Sequence, residues 1–336
     1  MSRIEWCDIT INPVVGCSKC SPGCDNCYAE KMAFRLSKMP QTAAKYAGVV
    51  DDKGKWTGRI RNAVENEDHS TNYTGKSPWE YFWNLGKKTK RIFVGSMTDV
   101  FHENTHPHDI AHIMHGVHDH PEHTFILLTK RPHRMREEIP KWLLPDDKPL
   151  PNLWLGITVC NQEEADVKVP MLLHTPAAIR FVSIEPMLGP VDIGKYLYGS
   201  YECALSCGTR LSCTDLPEKR CTGCGFIGPD DYETWGDGDC EECPKCGRGG
   251  GCGEIEEICP ECGTYMVREH PDTQYIDWVI AGPGTGPGKR PAEEGWFRSL
   301  RDQCRADYSK TPFFLKKNVG GSRLLDGVEH SEVPHA

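Results

Sequence analysis

Six short apolar runs rich in β-branched and aromatic residues recur through the chain, and they constrain its fold more than any other feature. They are Arg91 to Gly95, Thr124 to Thr129, Leu153 to Val159, Ile179 to Ile184, Tyr275 to Ala281 and Pro312 to Leu315. Most are separated by stretches of helical period, such as Asp109 to His118, Gln162 to Leu173 and Glu293 to Asp307. Strands that are apolar throughout and alternate with helices predict a parallel sheet covered on both faces. With a further strand over Asp8 to Val15 this makes about seven β/α units. The predicted class is α/β, a partial or complete TIM-like barrel of parallel strands.

Behind the first strand lies the densest chemistry in the sequence. Cys17, Cys20, Cys24 and Cys27 fall on a loop that Pro13, Gly16, Pro22 and Gly23 keep irregular, and a helical run from Tyr28 to Leu36 follows at once. Cys20, Cys24 and Cys27 read C-x3-C-x2-C, three thiolates with no fourth partner fixed by the pattern. Structural zinc takes four protein ligands, usually as two separated pairs, whereas iron–sulfur clusters are held by cysteines in tight runs. The competing reading is a zinc knuckle using all four cysteines, with little chain to wrap the ion.

This loop resembles the signature of the radical S-adenosylmethionine (SAM) superfamily. The stretch from Asn12 to Glu30 is similar to its phage-borne three-cysteine-motif branch, distantly like spore photoproduct lyase. The resemblance covers most of the chain outside residues 197 to 270. In that branch the loop reads G-C-x6-C-x2-C-Y-A-E, which maps onto Cys17, Cys24 and Cys27, while the superfamily's stricter spacing maps onto Cys20, Cys24 and Cys27. Both alternatives stand at this point. The resemblance implies a [4Fe-4S] cluster with one open iron, SAM as cofactor, and a barrel whose cysteine loop follows the first strand. It also implies an electron donor of flavodoxin or ferredoxin type.

Parallel barrels carry their chemistry at the carboxyl ends of the strands, and here nearly every strand ends in polar residues. Ser96, Thr98 and Asp99 are candidates for the SAM amino group or ribose, with Thr158 beside them. Gly282 and Gly284, in the run from Gly282 to Gly288, allow close backbone approach to an adenosyl group. The run lacks the dinucleotide G-x-G-x-x-G spacing, so no nicotinamide cofactor is inferred. Lys130, Arg131, Lys316 and Lys317 are candidates to meet a carboxylate or phosphate. Glu185 is a candidate to take a proton or orient the substrate, and its competing reading is a salt bridge to one of those lysines. Glu185, Lys130 and Lys316 are thus the candidate catalytic residues.

Two weaker patterns remain. Trp79, Tyr81, Phe82 and Trp83 precede a basic run from Lys87 to Arg91, a combination that can stack bases and hold phosphate but more often caps a core. Eight of the fourteen histidines lie between His102 and His123, and His108, His112 and His115 share a helical face, which makes a second metal site the alternative reading. Surface histidines are the commoner outcome there.

Residues 197 to 270 differ in kind, with eleven of the eighteen cysteines among glycines and acids. Cys243 and Cys246, then Cys259 and Cys262, form two C-P-x-C-G knuckles, a zinc-ribbon pattern. Cys221 and Cys224 supply a pair for a second zinc site. An auxiliary iron–sulfur cluster on Cys243, Cys246 and Cys252 is the rival. The predicted organisation is therefore 1–196 as the first part of the barrel, 197–270 as a zinc-binding insertion, and 271–336 as the last strands.

A formal charge of −9 excludes a generally basic surface, so any nucleic-acid contact must be local. So many cysteines fit metal ligation in a reducing compartment, since the opening residues lack the apolar core of a signal peptide. No apolar run reaches transmembrane length. The expected setting is cytoplasmic, the host cytoplasm if the chain is phage-encoded, with no membrane partner. The resemblance implies modification or isomerisation of a base in DNA, or of a modified nucleotide, that protects a phage genome from restriction. The alternatives are a radical SAM enzyme acting on a peptide or small molecule, and a non-catalytic metal-stabilised nucleic-acid-binding module.

Overall fold

A computed structural model describes residues 4–62, 80–83, 85–197, 275–286, 288–306 and 309–334. Between 198 and 274 it describes the strand segments 201–203, 210–211, 219–220, 227–228 and 266–267. The chain divides into two units. One holds Met1–Asp192, Tyr275–Asp302 and Thr311–Ala336, and the other Ile193–Gln274 with Gln303–Lys310.

The first unit is built on seven parallel strands: β1 (Ile9–Ile11), β2 (Arg91–Val94), β3 (Thr124–Thr129), β4 (Leu153–Val159), β5 (Ile179–Ile184), β6 (Trp278–Ala281) and β7 (Phe313–Leu315). They lie side by side in sequence order, an open, curled sheet of half-barrel form. Parallel neighbours need long crossovers, and helices supply most of them. These are α1 (Tyr28–Ser37), α2 (Pro107–His118), α3 (Pro132–Glu138), α4 (Gln162–Leu173) and α5 (Glu294–Arg305). Pro107 opens α2 because its missing N–H would be unpaired there in any case. Asn161 caps α4 by accepting from the Glu164 N–H at 3.0 Å.

The alternation of side chains along each strand sorts the core into two layers. One face of the sheet carries Phe93, Ile126, Trp154, Phe181, Trp278, Ile280 and Phe314, closed by Trp6. Trp6 meets Phe93 edge-on at 4.8 Å between ring centroids and Trp278 at 6.1 Å. The alternate residues, including Val94, Leu127, Ile157, Val182, Val279 and Phe313, are equally buried. Gly156 makes room for the large ring of Phe181 on the neighbouring strand, because a β-carbon there would stand 2.2 Å from Phe181 Cζ.

The first strand departs from expectation. It ends at Ile11, and Val14–Val15 turn away to pair antiparallel with Arg61–Asn62. Pro13 causes the break, because it has no N–H to give a ladder. The Asn12 side chain then holds the turn, its Oδ1 accepting from the Met97 N–H at 2.8 Å.

In the second unit Tyr201–Cys203 pairs antiparallel with both Arg210–Leu211 and Met266–Val267, and Lys219–Arg220 pairs with Ile227–Gly228. The candidate zinc ligands Cys221, Cys224, Cys243, Cys246, Cys259 and Cys262 lie outside the described residues. Among the described residues no helix is long and apolar enough to cross a membrane.

Candidate functional site

At the carboxyl ends of the strands the aromatic layer gives way to a cavity of about 930 Å3. The alternation that places Ile126, Trp154, Phe181 and Phe314 on one face brings Lys130, Thr158, Glu185 and Lys316 to its wall. The cysteine loop closes one side.

That loop is fixed at its entry by Gly16, whose φ of +109° suits glycine and whose β-carbon would stand 2.1 Å from the Arg59 carbonyl oxygen. Its N–H donates to the Met97 carbonyl at 3.1 Å, and the Thr98 hydroxyl donates to the Gly16 carbonyl at 2.7 Å. A single 3-10 turn, Pro22–Cys24, is capped by Ser21, whose Oγ accepts from the Gly23 N–H at 3.0 Å. Cys27 then begins α1.

Cys17, Cys24 and Cys27 line the cavity, whereas Cys20 is exposed. A hydrogen bond from the Cys20 thiol, opposed by burial and helped by the Lys130 ammonium, holds the Cys24 thiol well below its ordinary pKa. Burial and the Asp99 carboxylate push Cys17 up to about 12, against the pull of Arg131. Among the described residues no three His, Cys, Asp or Glu side chains gather as a site for one metal ion. The donor set of three soft sulfurs on a cavity wall is compatible with a cluster, which spreads its thiolates over separate irons.

Behind the loop stands a buried ion network. Asp99 accepts from the Phe101 N–H (3.1 Å), the Thr129 hydroxyl (2.6 Å), the Lys130 N–H (3.1 Å) and Arg131 Nη1 (3.1 Å). With its oxygens so occupied, Asp99 shapes the site. Arg131 also donates from Nε to both oxygens of Glu103 at 2.8 Å, from Nη2 to the Ser18 carbonyl (3.2 Å) and hydroxyl (2.8 Å), and lies 3.9 Å from Cys17 Sγ. Burial alone would lower the Arg131 pKa, but Asp99 and the neighbouring thiols raise it.

His102 Nε2 is 2.8 Å from Ser18 Oγ, while its Nδ1 accepts from the Asn104 N–H at 3.0 Å. That second bond puts the proton of the neutral ring on Nε2, which donates to Ser18. Burial, with Arg131 nearby, lowers the His102 pKa. Ser18 Oγ thus accepts from two donors and has no base to activate it, so the pair is not a nucleophile with its base.

The other predicted residues divide. Ser96 exchanges hydrogen bonds with the Asn12 side chain (3.1 and 3.2 Å) and accepts from the Tyr28 hydroxyl at its carbonyl (2.9 Å). Glu185 pairs with Lys316 at 2.8 Å. Gly284 borders the cavity; Gly282 stands behind, its N–H donating to the Ile184 carbonyl at 3.2 Å. The loop after β6 straps the cysteine loop: Asn26 Nδ2 donates to the Gly288 carbonyl (2.6 Å), and Arg290 donates to Asp25 (3.2 Å) and the Pro22 carbonyl (2.6 Å).

In the aromatic group before the basic run, Phe82 follows the commoner of its two readings, that of capping a core. Phe82 is fully buried, 5.7 Å from the Phe125 ring, and Tyr81 carries the Lys45 ammonium 4.8 Å over its ring. The Phe82 ring is thus spent inside the protein and offers no surface for a base, while Tyr81 is half-buried. Trp79 lies outside the described residues. Ser18, His102, Glu103, Asn26 and Arg290 escaped sequence reasoning, because each acquires its role from a partner distant in the chain.

Over residues 1–334 the chain matches the family described as Protein of unknown function (DUF5131), and it belongs to that family. No curated protein and no solved structure matches it.

Proposed function

We propose that this family member is a radical SAM enzyme whose [4Fe-4S] cluster is held by Cys17, Cys24 and Cys27. The observation that carries the reading is the placement of these three thiols, without Cys20, on the wall of a cavity at the carboxyl end of a parallel half-barrel. When bound, the cluster supplies the electron that splits SAM into methionine and a 5′-deoxyadenosyl radical able to take hydrogen from an unactivated C–H bond.

The chain's own residues set the conditions for that chemistry. Arg131 and His102 hold Ser18, and with it Cys17, in place from behind. Asn26 and Arg290 hold the far end of the loop. The aromatic layer beneath the cavity excludes water from its floor, which protects a reactive intermediate. Lys130 gives positive charge beside Cys24, and Thr158 offers a hydroxyl on the same wall. Glu185, paired with Lys316, is placed to orient a substrate or relay a proton. Electrons come from a flavodoxin- or ferredoxin-type donor.

The substrate class we propose is a base in DNA or a modified nucleotide, altered so that a phage genome resists restriction. A base in duplex must be flipped out to enter such a cavity. The cysteine knuckles of the second unit bind zinc in this account and belong to substrate holding. The test is 5′-deoxyadenosine formation by the reconstituted, reduced protein given SAM. A peptide or small-molecule substrate would leave that product unaffected by DNA.

A further inference from the structure

Six basic side chains line the cavity: Lys130, Arg131, Lys289, Arg290, Lys316 and Lys317. Three are neutralised. Arg131 pairs with Asp99 at 3.1 Å, Arg290 with Asp25 at 3.2 Å and Lys316 with Glu185 at 2.8 Å. The remaining acid on the wall, Glu5, is engaged by Arg323 at 3.6 Å. Among the described residues no carboxylate lies within ion-pair distance of Lys130, Lys289 or Lys317. The protein carries a formal charge of −9, yet its cavity has an excess of positive charge.

Lys289 and Lys317 are exposed and Lys130 is half-buried, so all three ammonium groups are open to an incoming anion, which their summed field attracts. The three lysines come from three different strand ends. Lys130 follows β3, Lys289 sits in the loop after β6, and Lys317 follows β7, the neighbour of β6. Pro186 locates two of them. The β-carbon positions of Gly23 and Gly284 stand 3.4 and 3.6 Å from it, with Lys130 Cε 3.6 Å from the first and Lys289 Cβ 3.7 Å from the second. The two lysines therefore flank one proline at the cavity's edge.

A second feature faces the same space. Tyr28 and Met32, 52% and 39% exposed, both line the cavity from α1. The Tyr28 hydroxyl is tied to the Ser96 carbonyl at 2.9 Å, so its ring presents a fixed flat surface. In the radical SAM reading the single carboxylate of SAM would occupy at most one ammonium, which leaves two without an anion. A phosphate ester carrying a planar ring uses both features, with ammonium groups on the phosphate and aromatic stacking on the ring.

We propose that Lys130, Lys289 and Lys317 form a phosphate subsite that seats a nucleotide, free or within a strand, with its base toward Tyr28. The proposal rests on the radical SAM reading, for which it names the substrate class. Binding needs neither reductant nor SAM, so its failure is distinguishable from failure of radical formation.

The experiment uses the full chain with its metals reconstituted and a fluorescently labelled single-stranded oligonucleotide followed by anisotropy. Thymidine monophosphate, thymidine and citrate serve as unlabelled competitors. The oligonucleotide binds, the monophosphate competes, and thymidine and citrate do not. The double substitution Lys289→Ala with Lys317→Ala weakens binding about tenfold and flattens the salt dependence, while iron, sulfide and melting temperature stay at wild-type values. A monophosphate matching the oligonucleotide places the substrate among free nucleotides, and a stronger oligonucleotide places it in a strand; both uphold the subsite. No binding of either, equal competition by thymidine or citrate, or unchanged affinity in the folded double variant overturns it.

Discussion

Spacing leaves Cys17 and Cys20 equal as the third ligand beside Cys24 and Cys27, and the side chains around them separate the two. Cys17 lies in the cavity wall 3.9 Å from the Arg131 guanidinium, while Cys20 faces solvent. Cys17→Ala is accordingly expected to lose most of the iron and sulfide taken up on anaerobic reconstitution, and Cys20→Ala to retain it. Equal losses would return the choice to a four-cysteine site. Arg131 and Asp99 form a buried pair, so Arg131→Leu leaves a carboxylate without its counter-ion and costs about 3–5 kcal/mol in denaturant unfolding. His102 adds a pH dependence. Its folded pKa is depressed by burial, so the unfolded ring takes up a proton first as pH falls past the ordinary value near 6.5, and stability is lost from there down to the folded pKa. Denaturant midpoints at about pH 7.5 and about pH 5.5 measure that loss, which His102→Asn should reduce. None of this support was legible in the sequence, because Ser18 and His102 meet across 84 positions.

Strands and helices were read more easily, since their periodicity is local. Thr124–Thr129, Leu153–Val159 and Ile179–Ile184 have the expected bounds, because strands buried on both faces are apolar at every position. The first strand was overextended, as Val14 and Val15 are good strand formers that Pro13 sends to a different partner. The aromatic group near Phe82 was ambiguous for the opposite reason. An amphipathic segment looks alike whether its rings face solvent or, as here, Gly116 and Phe125. At this scale the glycine opposite Phe181 is the sensitive point. Gly156→Ala forces a β-carbon into the ring and should lower stability by about 1–3 kcal/mol, read from the shift in denaturant midpoint at constant m-value. Straightforward accommodation, with no shift, would mean that the inner layer is looser than its packing indicates.

Across the whole molecule, the half-barrel brings strand ends that are far apart in sequence onto one cavity, and the cysteine loop after β1 completes its wall. Sequence placed the polar strand ends there as a set, but could not tell which were already spent. Glu185 and Lys316 pair with each other, and Ser96, Thr98 and Asp99 hold the loop. The second unit carries most of the cysteines, and its proposed knuckles predict about one zinc or more per chain that survives Cys17→Ala; metal analysis of that variant checks this. The central claim is that the cavity generates an adenosyl radical. Its most direct measurement is chromatography of 5′-deoxyadenosine after the anaerobically reconstituted, reduced full-length protein is incubated with SAM. The account predicts the product from wild type and its absence from Cys24→Ala. A wild-type protein that binds iron and sulfide in full yet yields no 5′-deoxyadenosine, with or without DNA, would contradict it.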